Sequence, residues 1–240
     1  MATLQTKAIQ PSTGTNVNLG TVGDAVLLSS DSIKTNLYKD SGGNTLFQSD
    51  GAGTLSNINS ALENTGPKLI STTNVSSAVA TIDITSGLDS TYNHYQFVFV
   101  NIAPATNNVG WLFQMGSSYN TSMATVAFYV QHFESGATSG PELTNAAGRQ
   151  GNGTAFQVLN ENVEAAADAS LSGELHLFSP SSTTYIKTFM TRIHDSDYQP
   201  TAQTRFVSGY FNTTTALTQI RFKFSSGNIV SGKIKLYGIS

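Results

Sequence analysis

The feature that most constrains this chain is the alternation of apolar and polar residues, with a period of two, in many short segments after residue 66. Near the end of the chain, Ile220, Phe222 and Phe224 alternate with Gln, Arg and Lys. Successive side chains of a β-strand point to opposite faces, so such a segment buries one face and leaves the other in water. Segments of this kind, separated by polar turn residues, predict an all-β fold: an antiparallel β-sandwich, jelly-roll-like, with an extended N-terminal arm.

The strand segments share this alternation or a β-branched and aromatic composition. Tyr95, Phe97 and Phe99 lie on one face of the segment Tyr95–Ile102 and are interpreted as core. One stretch, Glu161–Ala169, has helical character and predicts a short surface helix. We predict strands at Leu69–Ser71, Val79–Ile84, Tyr95–Ile102, Trp111–Met115, Val126–Phe133, Leu171–Phe178, Thr184–Ile193, Arg205–Phe211, Leu217–Phe224 and Ile234–Ile239.

The composition limits the classes of function. Only 11% of the residues are charged, against roughly 25% in an ordinary soluble domain. The net charge is −3 and no Lys/Arg cluster occurs, so binding of nucleic acid through phosphate neutralisation is not expected. The absence of cysteine excludes disulfides, a thiol nucleophile and cysteine-based zinc sites. No apolar run is long enough to span a membrane, and the N-terminus lacks the apolar region of a secretory signal.

Aromatic residues divide the chain near Gly66. Before that position only Tyr38 and Phe47 occur. Because aromatic side chains bury the largest areas, residues 1–66 cannot build a large core alone, whereas residues 67–240 can. We therefore predict an N-terminal arm over 1–66 and a β-sandwich over 67–240.

Within the arm, Gly42-Gly43 and Asp50-Gly51 are turn dipeptides that predict small hairpins. Leu55–Leu62 has apolar residues three and four apart, which favours one or two helical turns. The apolar pieces Val17–Leu19 and Ala25–Leu28 precede them. Small hairpins are marginal without a partner, so the arm is interpreted as an attachment or oligomerisation element; a partly ordered leader is the alternative.

Two pairs of side chains have the composition of metal ligands. His132 and Glu134 share one face of a predicted strand, and Glu174 and His176 repeat the spacing in reverse order. If the two strands were neighbours, two imidazoles and two carboxylates would converge, as in a metal site. Exposed faces of sandwich strands also carry His and Glu, and we favour that interpretation. The prediction is no metal, no cofactor and no catalytic residue.

Other motifs fit structural roles better than chemistry. His194–Asp197 resembles part of a calcium loop, but it lacks the continuation of that motif and is interpreted as a turn. The glycine-rich stretch Gly148–Gly153 has no strand-to-helix context and predicts a mobile loop. Neither a serine nucleophile elbow nor a facing carboxylate pair can be identified, so we expect a protein that is not an enzyme. Four tyrosines are candidates for a glycan- or protein-binding surface, with packing in the core or between strands an alternative of at least equal weight for each: Tyr119, Tyr129, Tyr198 and Tyr210.

Several blocks of the sequence are similar to structural proteins of tailed bacteriophages, many from marine and cyanobacterial phages. In Gly87–Phe99 a Leu-Asp-Ser-Thr-Tyr turn leads into an aromatic strand, as in those proteins. The opening Met1–Lys7 resembles the start of phage fibre-like proteins. Further blocks that carry the resemblance are Leu171–Ser182, Gly209–Thr214, Phe222–Ile229 and Gly232–Ile239.

The resemblance implies a virion structural protein without catalytic chemistry. Its arm would attach to other virion proteins, its sandwich would face outward, and its assembly would be a homotrimer located in the virion. A tail-fibre or receptor-binding component, which contacts a glycan or protein of the host surface, is favoured over a capsid-decoration protein (a cement protein or head fibre). A secreted carbohydrate-active sandwich is the alternative from another class.

Overall fold

The computed structural model describes residues 37–40, 42–59, 66–136, 142–143, 148–197 and 201–240. The chain divides into two units, Met1–Glu63 and Asn64–Ser240. Among the described residues there are β-strands, turns and irregular segments but no α-helix. The strand pairs are antiparallel and two sheet layers pack together. The predicted all-β class and antiparallel β-sandwich are therefore confirmed, and the jelly-roll connectivity stays a prediction.

The first unit contains two small hairpins, as the turn dipeptides predict. Asp40 accepts a hydrogen bond on Oδ1 from the backbone N–H of Asn44 at 2.8 Å. Asp50 accepts one in the same way from Thr54 at 3.0 Å. Such side-chain bonds to the backbone stabilise turns. Three antiparallel strands result: β1 (Leu37–Lys39), β2 (Thr45–Ser49) and β3 (Leu55–Ser56).

The predicted helical turn over Leu55–Leu62 is wrong at its start. Leu55 and Ser56 pair with β2, and Asn57 has a φ of 48°, in the left-handed region that interrupts a right-handed helix. Ser60–Leu62 lies outside the described residues, as do the apolar pieces Val17–Leu19 and Ala25–Leu28.

The second unit contains thirteen described strands. Every strand that the sequence predicts after residue 66 has a counterpart, although several boundaries move. The strands are β4 (Lys68–Val75), β5 (Ile82–Ile84), β6 (His94–Pro104), β7 (Val109–Met115), β8 (Met123–Phe133), β9 (Glu142–Leu143), β10 (Gly151–Gly153), β11 (Gln157–Val163), β12 (Leu171–Phe178), β13 (Lys187–Asp197), β14 (Thr201–Phe211), β15 (Ile220–Phe224) and β16 (Ile229–Ile239).

These strands form two layers. The larger layer has the order β4-β16-β6-β12-β13-β14-β8, and the short strands β9 and β10 pair with β8. The smaller layer has the order β11-β7-β15-β5. The layers are joined at one corner, where Val163 of β11 pairs with Asp197 of β13.

Aromatic side chains fill the space between the layers. Phe97 of the larger layer contacts Phe222 of the smaller one, with ring centroids 5.6 Å apart. Phe99 meets Trp111 edge-on at 5.9 Å. All four are fully or almost fully buried, as is Tyr95. The prediction that the aromatic face of β6 forms the core is confirmed.

The predicted helix at Glu161–Ala169 is wrong. Residues 161–163 belong to β11, which pairs with β7 through Val163 and Val109. Asn162 has a φ of 60°, a left-handed conformation that a right-handed helix does not contain. A tight turn follows, in which Ala169 N–H donates to the carbonyl of Ala166 at 3.0 Å.

Two segments that the sequence predicts as a turn and a loop contain strand residues. His194–Asp197 continues β13 rather than forming a turn, because its backbone pairs with β14 as far as Thr201. Asp195 is buried there with 1% of its surface exposed. In the glycine-rich stretch Gly148–Gly153, residues 151–153 form β10, which pairs with β8.

The last strand lies inside the larger layer. β16 pairs with β4 on one side and with β6 on the other. Ile234 and Leu236 are buried, and the ring of Tyr92 occupies the space beside Gly238 that a β-carbon would need. This segment is therefore an integral part of the sheet rather than a frayed end.

Candidate functional site

The larger layer has an unusually apolar solvent-facing side. We call the outward-pointing side chains of β12, β13, β14 and β8 the outer face. Val126 is 63% exposed, Met190 51% and Phe128 43%. Val130 and Tyr210 also point outward and are exposed. Large exposed apolar patches of this kind mark interaction surfaces more often than isolated exposed residues do.

Strand register gathers these residues. Val126 lies opposite Ser208, and Phe128 lies opposite Phe206. The two phenyl rings stack with centroids 4.9 Å apart and an angle of 15° between their planes, an arrangement that stabilises cross-strand pairs. Because side chains alternate along each strand, the apolar residues at even positions of β8 all reach the same side.

A groove of about 390 Å³ runs across this face. We call it the outer groove. Val126, Phe128, Met190 and Phe206 form its apolar part. Its polar wall is made by Glu174, His176, Arg192 and Ser208. A groove with an apolar floor and a few polar groups at one side is the usual form of a binding site.

The polar wall is centred on Glu174. Its Oε1 accepts a hydrogen bond from Nη2 of Arg192 at 2.9 Å. Its Oε2 accepts one from Nε2 of Gln96 at 2.8 Å and lies 3.4 Å from Nε2 of His176. Arg192 is largely exposed, and exposed pairs of this type contribute only about 0–1 kcal/mol. The network therefore orients side chains more than it stabilises the fold.

A second histidine extends the wall. Nε2 of His94 and Nδ1 of His176 are 2.7 Å apart, a short hydrogen bond between two half-buried imidazoles. The ring of His94 also stacks on Phe178, with centroids 4.7 Å apart. Burial, reinforced by the neighbouring His176, lowers the pKa of His94 from its ordinary value.

The two predicted His/Glu pairs do not come together. Strands β13 and β14 lie between β12 and β8, which separates the pairs by roughly 14 Å across the sheet at the usual strand spacing. His132 and Glu134 are exposed at the far end of β8. Glu174 and His176 instead contact Gln96, His94 and Arg192. No cluster of three or more His, Asp or Glu able to hold a metal ion is found in the part of the chain that the structure describes.

The distance between the two His/Glu pairs also excludes Glu134 and Glu174 as a pair of glycosidase carboxylates. Paired catalytic carboxylates lie about 5–9.5 Å apart. Glu134 and Glu174 are three strand spacings apart, and Glu134 lies six residues beyond Phe128, which is in line with Glu174 across the sheet. They cannot flank one glycosidic bond.

The three candidate tyrosines that the structure describes lie in different environments. Tyr210 lies at the edge of the outer face and is 37% exposed. Tyr119 instead packs under the guanidinium of Arg221, 4.1 Å from its ring centroid. Tyr129 is half-buried and Tyr198 lies outside the described residues.

Two buried cations were not expected from the sequence. Lys187 is fully buried, and its Nζ donates to the backbone carbonyls of Tyr185 at 3.0 Å and Thr213 at 3.2 Å. Burial lowers the pKa of Lys187. Arg205 is also fully buried and pairs with Glu161 at 2.8 Å. Both cations lie within alternating strand sequences. The alternation predicts that each points to the opposite face from its sequence neighbours, but it does not predict that a charged side chain is on the buried face.

Comparison of the chain with protein-family models, with curated proteins and with solved structures finds no match. Among the described residues there is no helix with the length and hydropathy needed to cross a membrane. The functional interpretation therefore depends on the geometry of the outer face and on the sequence blocks described above.

Proposed function

We propose that this protein is a structural component of a tailed-bacteriophage particle, without enzymatic activity, and that its outer face is a contact surface. The observation that carries the contact role is the exposed apolar patch around the outer groove, and the phage assignment rests on the sequence blocks that resemble phage structural proteins. Val126 and Phe128 of β8 and Met190 of β13 expose a large part of their surface on the same side of the larger layer, where β14 lies between the two strands. An apolar groove with charged groups on one wall suits the recognition of another macromolecule.

The tail-fibre or receptor-binding role is the one we favour. The residues of 1–66 would attach the chain to other virion proteins, and the β-sandwich would face outward, with a host-surface glycan or protein in the outer groove. The low proportion of charged residues, 11%, and the aromatic core support a stable displayed domain. A homotrimer located in the virion completes the proposal.

The first test asks where the protein resides. Antibodies against the purified chain are applied to particles of the phage that carries its gene, and bound antibody is located by electron microscopy. Label at the tail with few copies per particle supports the proposal. Label over the whole capsid, with hundreds of copies and a loss of heat resistance when the protein is missing, would replace it with capsid decoration. No label on particles would reject both.

The second test asks what the outer face does. Purified chain is mixed with cells of the host, and the bound fraction is compared for the wild type and Val126→Asp. The matched control is Val230→Asp, since Val230 is also exposed, at 40%, but does not line the outer groove. We expect only Val126→Asp to lose binding. Equal binding by both variants would remove the outer face from the proposal.

The third test concerns assembly. The full chain and a chain that starts at Pro67 are compared by size in solution. Loss of a trimer on truncation supports the arm as the assembly element, whereas a trimer that survives moves assembly into the β-sandwich. A monomeric full chain would contradict the proposed homotrimer.

A further inference from the structure

We propose that the His94–His176 pair is a proton-operated switch, which holds the polar wall of the outer groove in one arrangement at neutral pH and releases it in acid. As regulation of the outer groove, the proposal rests on the proposed contact role of the outer face. The switch itself rests on geometry that is independent of any partner.

The contacts assign the tautomers of the neutral pair. Nε2 of His176 lies beside the carboxylate oxygen Oε2 of Glu174, which accepts hydrogen bonds. That nitrogen therefore carries the proton, and Nδ1 of His176 is left as an acceptor. Since Nδ1 faces Nε2 of His94 at 2.7 Å, His94 is the donor of the bond between the rings. Each proton of the neutral pair thus has a defined acceptor.

One added proton is compatible with this arrangement. With a proton on both of its nitrogens, His176 donates to Glu174 on one side and to His94 on the other, provided that His94 presents its unprotonated nitrogen. The hydrogen bond between the rings is then charge-assisted, and such bonds are stronger than neutral ones. The carboxylate of Glu174 lies next to the added charge.

A second proton is not compatible with it. Both facing nitrogens would then carry hydrogens, with no acceptor between them and two positive charges at the distance of a hydrogen bond. The two rings must separate. The lowered pKa of His94, caused first by burial and then by the charge of His176, agrees with this order of events.

Among the side chains that face the pair from the neighbouring strands, one carboxylate contacts it. Glu174 of β12 is the carboxylate nearest to the pair, and it already contacts Arg192 of β13 and Gln96 of β6. Strand β16 on the other side of β6 places the neutral Ile239 opposite His94. Farther along β16, Tyr237 and Lys235 face the same side, and neither is a carboxylate.

Separation of the rings would reach the outer groove directly. His176 and Glu174 form its wall, and Met190 lies opposite His176 across the β12–β13 pair. His94 stacks on Phe178, the last residue of β12, so its departure also removes a contact between β6 and the end of β12. The groove is therefore expected to change shape as the second proton binds.

The experiment is a pH titration of the full chain by NMR, in which ring nitrogen shifts report the tautomer and charge of each histidine. The variants are His176→Gln and His94→Gln, which keep a donor and an acceptor but remove one titrating ring. We expect His94 to gain its proton below the ordinary histidine range in the wild type and at a higher pH in His176→Gln. Titration of His94 at the same pH in both proteins would overturn the proposal.

The methyl signal of Met190 gives the readout at the groove. It should shift together with the second proton in the wild type and lose that acid step in His94→Gln. A Met190 signal that does not shift when the second proton binds would show that the pair titrates without controlling the groove, which also overturns the proposal. The matched control is His132→Gln, on the exposed end of β8, which should leave both titrations unchanged. No partner is present, so failure of the proposed binding role would not alter these results.

Discussion

The two faces of strands β8, β13 and β14 differ in what their side chains do, although they alternate residue by residue along the same backbone. The inward side chains Phe189, Val207 and Phe211 are buried against the smaller layer. The outward Val126 and Met190 are almost as apolar but remain exposed. Since burial drives folding, the inner face accounts for the fold, and the apolar outer face has no comparable role within one chain. The inner face therefore stabilises the fold, and the outer face is the surface for which we propose a contact role.

Removal of residues 234–240 should have the largest effect on this comparison. The deletion removes most of β16, which pairs with both β4 and β6, together with the buried Ile234 and Leu236. We expect a chain that does not fold, as measured by the loss of a cooperative thermal transition. A truncated chain that stays soluble and unfolds cooperatively would show that the inner face does not need β16.

Phe222→Ala tests the inner face at a single residue. The Phe222 ring contacts Phe97, Phe99, Trp111 and Phe113 in the core. Deletion of a buried aromatic ring costs about 3–5 kcal/mol of unfolding free energy. Denaturant titration should detect this loss, while variant protein that is still folded should bind its partner as the wild type does. A cost below about 1 kcal/mol would not fit a packed aromatic core.

Val126→Asp tests the outer face in the opposite way. The side chain is mostly exposed, so the free energy of unfolding should change by no more than about 0.5 kcal/mol. Binding to the host surface should weaken by about tenfold or more, equivalent to about 1.4 kcal/mol. The Val230→Asp control separates this effect from a general effect of charge. A large loss of stability with unchanged binding would reverse the roles of the two faces.

Lys187 gives a test of the inner face through the pH dependence of the free energy of unfolding. It is a cation on the inner face, and burial lowers its pKa in the folded protein. Between that lowered pKa and the ordinary lysine range, the unfolded chain binds more protons than the folded protein does. The free energy of unfolding therefore rises with pH in this interval. Lys187→Met should remove this rise between neutral pH and about 10, as measured by denaturant titration at several pH values. An identical rise in both proteins would show that Lys187 does not cause it.

The fold could be predicted where local pattern and burial agree. Leu171–Phe178 alternates as far as Leu177, lies between turn residues and forms a strand with the predicted boundaries. Strand β11 could not be predicted in this way, because it contains the polar Gln157 and Asn160, both buried. Gln157 is accommodated by hydrogen bonds to the Gly148 carbonyl and to Thr125, partners that no local pattern reveals.

The candidate site was less predictable than the fold. The sequence indicated Glu174 and His176 but left open whether they converge with His132 and Glu134, since strand order is not visible in the spacing of residues. Their actual neighbours, Gln96 and His94, depend on the register between β6 and β12, two strands almost eighty residues apart. The exposure of Val126 and Phe128 could not be predicted for another reason, because an apolar residue in an alternating strand is expected to face the core.

The most direct test of the division between the two faces uses methionine oxidation by dilute peroxide. Met190 is 51% exposed on the outer face, whereas Met115 and Met123 are fully buried and serve as internal references. Sulfoxide formation at each methionine is measured by mass spectrometry in the free chain and in the chain bound to envelope fragments of the host. We predict rapid oxidation of Met190 in the free chain and a several-fold slower reaction in the bound chain, with Met115 and Met123 slow in both. Equal rates at Met190 in the free and bound chains would contradict a contact role for the outer face.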